Sequence, residues 1–269
     1  MEWHLSKCEL LNLHLNRAPF GGTLQGVAAA SSAYLGKSPA PLHHADAPLL
    51  AALPQAPRPF RPGRHSPPSP PPASPVPSMS PTHRRPVPLS KAYRLLNHGP
   101  TVLVSAAHNG QRNIMAAAWA MPLDFEPPKV AVVLDKATWT RQLLESAGTF
   151  VLQVPCAAQA DLVQTVGNTT GADTEKFAAY GLQTFKGEHT EAPLLEGCVA
   201  WLECRLLPEP HNQQTYDLFL GEVVAAYADA RVFSDGRWHF EGHDELRTLH
   251  HVAGGHFLTI GQPIDGRQL

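Results

Sequence analysis

The chain has 269 residues, with 27 prolines, four cysteines and a formal net charge of −2 when histidine is neutral. Length alone suggests about two domains, but 17 prolines fall between Pro39 and Pro88, and the charge divides there too: eight Lys/Arg against three acidic residues in 1–90, 13 against 20 in 91–269. A mildly acidic body argues against nucleic acid as the main partner, and no apolar run approaches the roughly 20 residues of a membrane helix.

Met1–Arg17 mixes Glu2, His4, Lys7 and Glu9 with leucines, which is not the basic-then-apolar order of a secretory signal. Between Pro54 and Pro88 the run Ser66-Pro67-Pro68-Ser69-Pro70-Pro71-Pro72 lacks the amide donor at its five prolines and suits neither a helix nor a sheet interior. Residues 1–85 are therefore expected to be a Pro-rich disordered leader, and residues 86–269 the one folded domain. Met79 is a candidate start, which would make the first 78 residues an upstream extension. Intact mass of the protein from its source checks this.

The texture changes at Leu89. Ser90 is expected to cap a short helix through Leu96, stopped by Gly99-Pro100. Thr101–Ala107 is β-branched and apolar, and Asn109-Gly110 after it is a strong hairpin signal. The return strand is expected from about Arg112 to Trp119, a third strand over Lys129–Asp135 after Pro127-Pro128, a helix over Thr138–Ser146 and a fourth strand over Thr149–Val154. Short helices at Gln159–Val166 and Asp173–Tyr180 precede two paired core strands, Cys198–Leu206 and Tyr216–Ala226. Asp235-Gly236 marks a last tight turn. Six or more antiparallel strands at hairpin spacing predict a mainly β fold, closed or nearly closed into a barrel that hides its edges.

Two segments are candidates for chemistry. In Asn113-Ile-Met-Ala-Ala-Ala-Trp119, three consecutive alanines fill a sheet face poorly. Such a strand either packs tightly on a helix or lets a flat group, such as an isoalloxazine ring, approach the backbone. In Asp135-Lys136-Ala-Thr138-Trp139-Thr140-Arg141, a cation and two hydroxyls meet a helix N-terminus. That is either a phosphate site or an ordinary N-cap with solvated charges.

Together with these residues, Pro127-Pro128-Lys-Val-Ala-Val, Phe150-Val-Leu-Gln-Val-Pro155, Gly221-Glu222-Val223 and Leu249-His-His-Val-Ala-Gly254-Gly255 give the segment from about Val87 to Gly261 its likeness. It resembles the flavin reductase-like family, the FMN-binding split barrels that include flavoredoxin-type proteins. The resemblance implies an antiparallel split β-barrel with short peripheral helices, a homodimer, and FMN near the subunit interface. By position it implies that Asn113, Met115, Ala116, Ala117, Ala118 and Trp119 flank the ring and ribityl chain, and that Lys136, Thr138 and Thr140 hold the phosphate. Gln153 stands where relatives often place Asn, a weaker flavin contact, and Tyr216 where many place a histidine near the nicotinamide.

His250 and His251, beside Gly254-Gly255, are expected to line the open face of the flavin or shape the dimer contact. The histidine spacings match no compact zinc pattern, so no metal is expected. Cys156 has no dedicated base and reads as a packed thiol, and the four cysteines read as reduced thiols of a cytoplasmic protein. The leading expectation is an NAD(P)H:flavin oxidoreductase, with NADH or NADPH as transient co-substrate and a flavin-dependent monooxygenase or electron carrier as possible acceptor. The alternative is an FMN electron carrier reduced by a protein partner, with little pyridine-nucleotide activity.

Overall fold

Asn109 and Gly110 both take positive φ, 50° and 77°, and the turn they make sets the hairpin that pairs Val102–His108 with Gln111–Ala117. The structure is a computed structural model that describes residues 83–267, together with the backbone of a short hairpin at Pro19–Gly21 and Leu24–Gln25. The chain divides into two compact units, Met1–Pro71 and Pro72–Leu269. The expected leader lies almost wholly outside the described residues.

In the second unit the order is β1 (Arg84–Pro86), α1 (Leu89–Ala92), β2 (Val102–His108), β3 (Gln111–Ala117), β4 (Ala120–Phe125), β5 (Pro128–Val133), α2 (Trp139–Ala147) and β6 (Thr149–Val154). Then come α3 (Ala160–Gly167), α4 (Lys176–Ala179), the two-residue strands β7 (Thr184–Phe185) and β8 (Leu194–Leu195), β9 (Ala200–Leu207), α5 (Pro210–Thr215) and β10 (Leu218–Asp229). Two small hairpins follow, β11 (Phe233–Ser234) with β12 (Arg237–Trp238), then β13 (Leu249–Ala253) with β14 (His256–Thr259).

The main sheet is antiparallel, in the order β3-β2-β6-β9-β10-β5-β4, with β1 paired to β10. Its two end strands, β3 and β4, are consecutive in the chain and joined by only Ala118 and Trp119. Laid flat, seven strands at about 4.8 Å spacing would hold those ends roughly 29 Å apart. Two residues bridge about 10 Å, so the sheet curls until its ends meet along an open seam. This is the expected split barrel. Both faces of the long strands are covered, Phe150, Leu152 and Leu202 lying on one and Leu103 and Trp201 on the other, all essentially inaccessible.

Most expected elements lie within two residues of their predicted ends; β10 runs three residues further than expected, to Asp229. Three other differences each have a local reason. The strand β4 was not expected, because its apolar residues Met121, Leu123 and Phe125 face outward and leave no buried alternation to read. The first helix starts at Leu89 behind Pro88, so Ser90 lies inside it and caps nothing. The helix expected over Asp173–Tyr180 is only α4, because the Glu175 carboxylate accepts from the Ala178 amide and starts the helix there.

Gly221 shows how closely the sheet is packed. A Cβ at this position of β10 would come within 2.5 Å of the buried Phe150 ring. Gly221→Ala should therefore destabilise the barrel by about 1–3 kcal/mol through overpacking. Urea unfolding of the variant against wild type measures it.

Candidate functional site

The residues proposed from sequence start on β3, an end strand of the sheet whose side chains alternate in direction. Ile114 points into the core and is fully buried. Asn113 is buried as well, and its Nδ2 donates to the hydroxyl of Thr140 on α2 at 2.9 Å. The Asn113 Oδ1 has no partner although it is inaccessible to solvent. Buried polar atoms are nearly always satisfied, so an orphaned acceptor here marks a place where a donor belongs.

A loop that sequence reading did not single out closes over this amide. A Cβ on Gly171 would lie 2.3 Å from the Asn113 Cγ, so only glycine lets the loop after α3 pass there. Gly167, at the end of α3, packs less tightly on Ala116, where an added Cβ would stand 3.2 Å away. The glycines were legible in sequence, but nothing in their spacing tied them to Asn113. Met115 and Ala116 are half-buried, Ala117 is buried, and Ala118 is exposed. Trp119 is 75% exposed, at the seam where β3 passes into β4.

The phosphate candidates divide. Lys136 is exposed, with its Nζ 3.8 Å from the Asp217 carboxylate. That carboxylate is held more firmly by Arg141, at 2.6 Å, which also donates to the carbonyls of Leu134 and Gln213 and so fixes the loop between β5 and α2 against α5. Thr138 precedes α2 in extended conformation, and its hydroxyl donates to the Asp135 carbonyl at 2.8 Å. Thr140 is fully buried and engaged with Asn113. Lys136 is thus at the surface, while Thr140 supports the strand of small residues from behind.

The remaining candidates lie elsewhere in the contact network. Gln153 is fully buried, donates to Ser105 Oγ and the Pro193 carbonyl, and accepts from the Leu195 amide. It ties β6 to β2 and β8, and neither amide donor is left for a ligand. His250 contacts the Gly99 carbonyl through Nδ1, and His251 the Gly254 carbonyl through Nε2, both at 3.0 Å. His251 thus holds the turn that follows it, while His250 ties β13 to the distant turn at Gly99. Tyr216 is exposed and meets the His211 ring edge to face.

Cys156, Cys198 and Cys204 are buried free thiols, and burial raises all three pKa values, that of Cys156 to about 11. They are poor nucleophiles. Among the described residues no three His, Cys, Asp or Glu side chains converge as a metal site would need.

His98 lies against His250 and Trp238, with ring centroids 5.6 and 5.5 Å away. Burial, then the neighbouring His250, lowers its pKa from 6.5 to about 4. Between these values the unfolded chain binds the proton and the folded one does not, so stability falls as pH drops from 6.5 to 4. The loss amounts to about 3 kcal/mol at most. Urea unfolding across this range should show a shallower pH slope in His98→Phe than in wild type.

Comparison with known proteins follows the division of the chain. The sequence model of the flavin reductase like domain family matches residues 94–250. Over 182 residues the chain is 50% identical to the uncharacterized protein YddH of Escherichia coli (strain K12), spanning 66% of this chain and 96% of that protein. The crystal structure of an FMN-binding domain of flavin reductases-like enzyme from Shewanella baltica OS155 is 49% identical with a TM-score of 0.67, spanning 68% of this chain and 97% of that one. Flavoredoxin of Desulfovibrio vulgaris (Miyazaki F) is 26% identical with a TM-score of 0.55, spanning 62% of this chain and 90% of that one.

The transglycosylase family model matches residues 1–71. The chain is also 69% identical over 64 residues to penicillin-binding protein 1C of Escherichia coli (strain K12), which is 24% of this chain but 8% of that protein.

Proposed function

The chain belongs to the flavin reductase-like family, and on that premise we propose that it binds FMN and passes hydride from NADH or NADPH to flavin. The observation that carries the reading is the buried, unpartnered Asn113 Oδ1 beside a strand of small side chains. An acceptor without a donor suits the N–H edge of an isoalloxazine ring, and Met115 to Ala118 leave room for a flat group to approach the backbone. Lys136, exposed at the entry to α2, is the cation for the phosphate, with the helix N-terminus behind it. Thr138 joins it if its hydroxyl turns from the Asp135 carbonyl, whereas Thr140 acts by holding Asn113. FMN, when bound, supplies the two-electron acceptor for hydride from the nicotinamide. The chain then needs no acid, base or nucleophile of its own, only alignment and exclusion of water, in keeping with the inert buried thiols.

The same reading takes the protein as a homodimer. Trp119 just before β4, and Met121, Leu123 and Phe125 along that end strand of the sheet, are all exposed. An apolar strand edge of this kind is ordinarily covered, and a second copy covering it would wall the seam beside the flavin residues. Met121→Glu with Phe125→Glu should shift the protein to monomer in light scattering and weaken FMN in the same preparation. A dimer unchanged by both substitutions places the contact elsewhere. No described helix is long and apolar enough to cross a membrane, and we place the protein in the cytoplasm, serving a flavin-dependent monooxygenase or an electron carrier.

Two titrations test the cofactor site. Lys136→Ala should weaken FMN by about tenfold, equivalent to ~1.4 kcal/mol, while riboflavin, which lacks the phosphate, changes little. Equal loss for both moves the phosphate site away from Lys136. Anaerobic mixing of FMN-loaded protein with NADH or NADPH should bleach the flavin band within the time of a turnover. Much slower bleaching favours the second reading, an FMN electron carrier reduced by a protein partner. The exposed Tyr216, where the resemblance leads one to expect histidine, is the observation on that side.

A further inference from the structure

Lys176, the first residue of α4, is 2% exposed. Its Nζ donates to two main-chain carbonyls, Ile114 on β3 and Val166 near the end of α3, each at 2.7 Å. The Ile114 carbonyl lies between Asn113 and Met115, on a strand that pairs with β2 on its other side and forms one end of the sheet. The carbonyl of Val166 precedes Gly167, the residue that packs against Ala116. One buried amine therefore joins three segments around the strand of small residues: α4, the end of α3 and the free edge of β3.

Among the described residues no carboxylate pairs with the lysine. Glu175 beside it pairs with Arg112 of β3 at 3.0 Å and caps α4. Arg112 itself stacks over Phe177 at 4.5 Å. The Tyr180 hydroxyl shares a hydrogen bond with Thr169, Asp161 lies in the first turn of α3, at the opposite end from Val166, and on α2 Arg141 pairs with Glu145 and Asp217. A buried charge without an ionic partner is unfavourable for stability. A neutral side chain would fill the same space, but it would leave both carbonyls without a donor.

We propose that Lys176 is a positioning residue for the flavin: by clamping the Ile114 carbonyl to the end of α3, it fixes the direction of the Asn113 and Met115 side chains that meet the ring. The proposal rests on the FMN reading of the site. It differs from the role given to Lys136 in a way that can be measured. Lys136 acts on the phosphate, whereas Lys176 acts on the strand under the ring, so its loss affects any flavin.

Burial lowers the Lys176 pKa from 10.5 to about 8. The closed clamp therefore binds fewer protons than an opened one between pH 8 and 10.5, and closure strengthens as pH rises through that window. Lys176→Met is expected to weaken FMN and riboflavin by the same factor, tenfold or more, in contrast to Lys136→Ala. Millisecond hydrogen exchange of residues 111–119, corrected for intrinsic rates, should slow from pH 7 to pH 10 in wild type and lose that dependence in the variant.

Unchanged affinity for both flavins, or a loss confined to FMN, overturns the proposal while leaving the cofactor reading intact. If wild-type protein binds no flavin, the cofactor reading fails and this role fails with it; the exchange profile then still reports whether the clamp itself exists. Should Lys176→Met not fold, Lys176→Gln, whose shorter side chain still carries a donor, takes its place in the same two titrations: unchanged affinity for both flavins, or a loss confined to FMN, overturns the proposal.

Discussion

The two-residue link between the end strands of the main sheet is the constraint on which the other features depend. Because Ala118 and Trp119 are all that separates β3 from β4, the seven-strand row has to bend until its ends meet. That bend encloses the core and creates the seam. It also places the strand of small residues, the exposed tryptophan and the outward apolar row of β4 at one edge of the barrel. The flavin reading and the dimer reading are therefore linked by geometry: a copy that covers β4 borders the residues proposed to receive the ring.

A barrel end strand has a free main-chain edge, and this protein satisfies it from the side. Lys176 caps the Ile114 carbonyl, Gly171 passes over the Asn113 amide, and Thr140 supports that amide from α2. Similar buried polar contacts hold the loops around the barrel. Glu203, fully buried on β9, accepts from the amides of Glu188 and His189 and from the Tyr227 hydroxyl. Arg141 joins the start of α2 to α5 through carbonyls and Asp217. Each replaces water that the local backbone or side chain lost on burial, and each is distant in sequence from at least one partner.

That separation in sequence explains how much was legible beforehand. The Asn109-Gly110 hairpin, the β5 and β6 strands and the α2 helix follow from local turn chemistry and periodicity, and they lie where expected. β4 was missed because its apolar face is turned outward. Gln153 and Thr140 were assigned by position as ligand contacts, but burial and hydrogen bonding give Gln153 a structural role and Thr140 a supporting one. Residues 1–71 were weighed by composition, which cannot register a likeness that resides in residue order.

The sequence by itself determined the strand-rich body, its hairpins, the run of small residues at Asn113–Trp119 and the cation before α2, because turn preference, alternation and side-chain size act over a few residues. Only the tertiary structure decided which face of each strand is buried and which polar atom is left without a partner. It also decided that Lys176, 62 residues beyond Ile114 in the chain, lies under the cofactor strand. Those outcomes depend on closing one sheet around one core, and no local pattern carries the information about which distant segments that closure brings together.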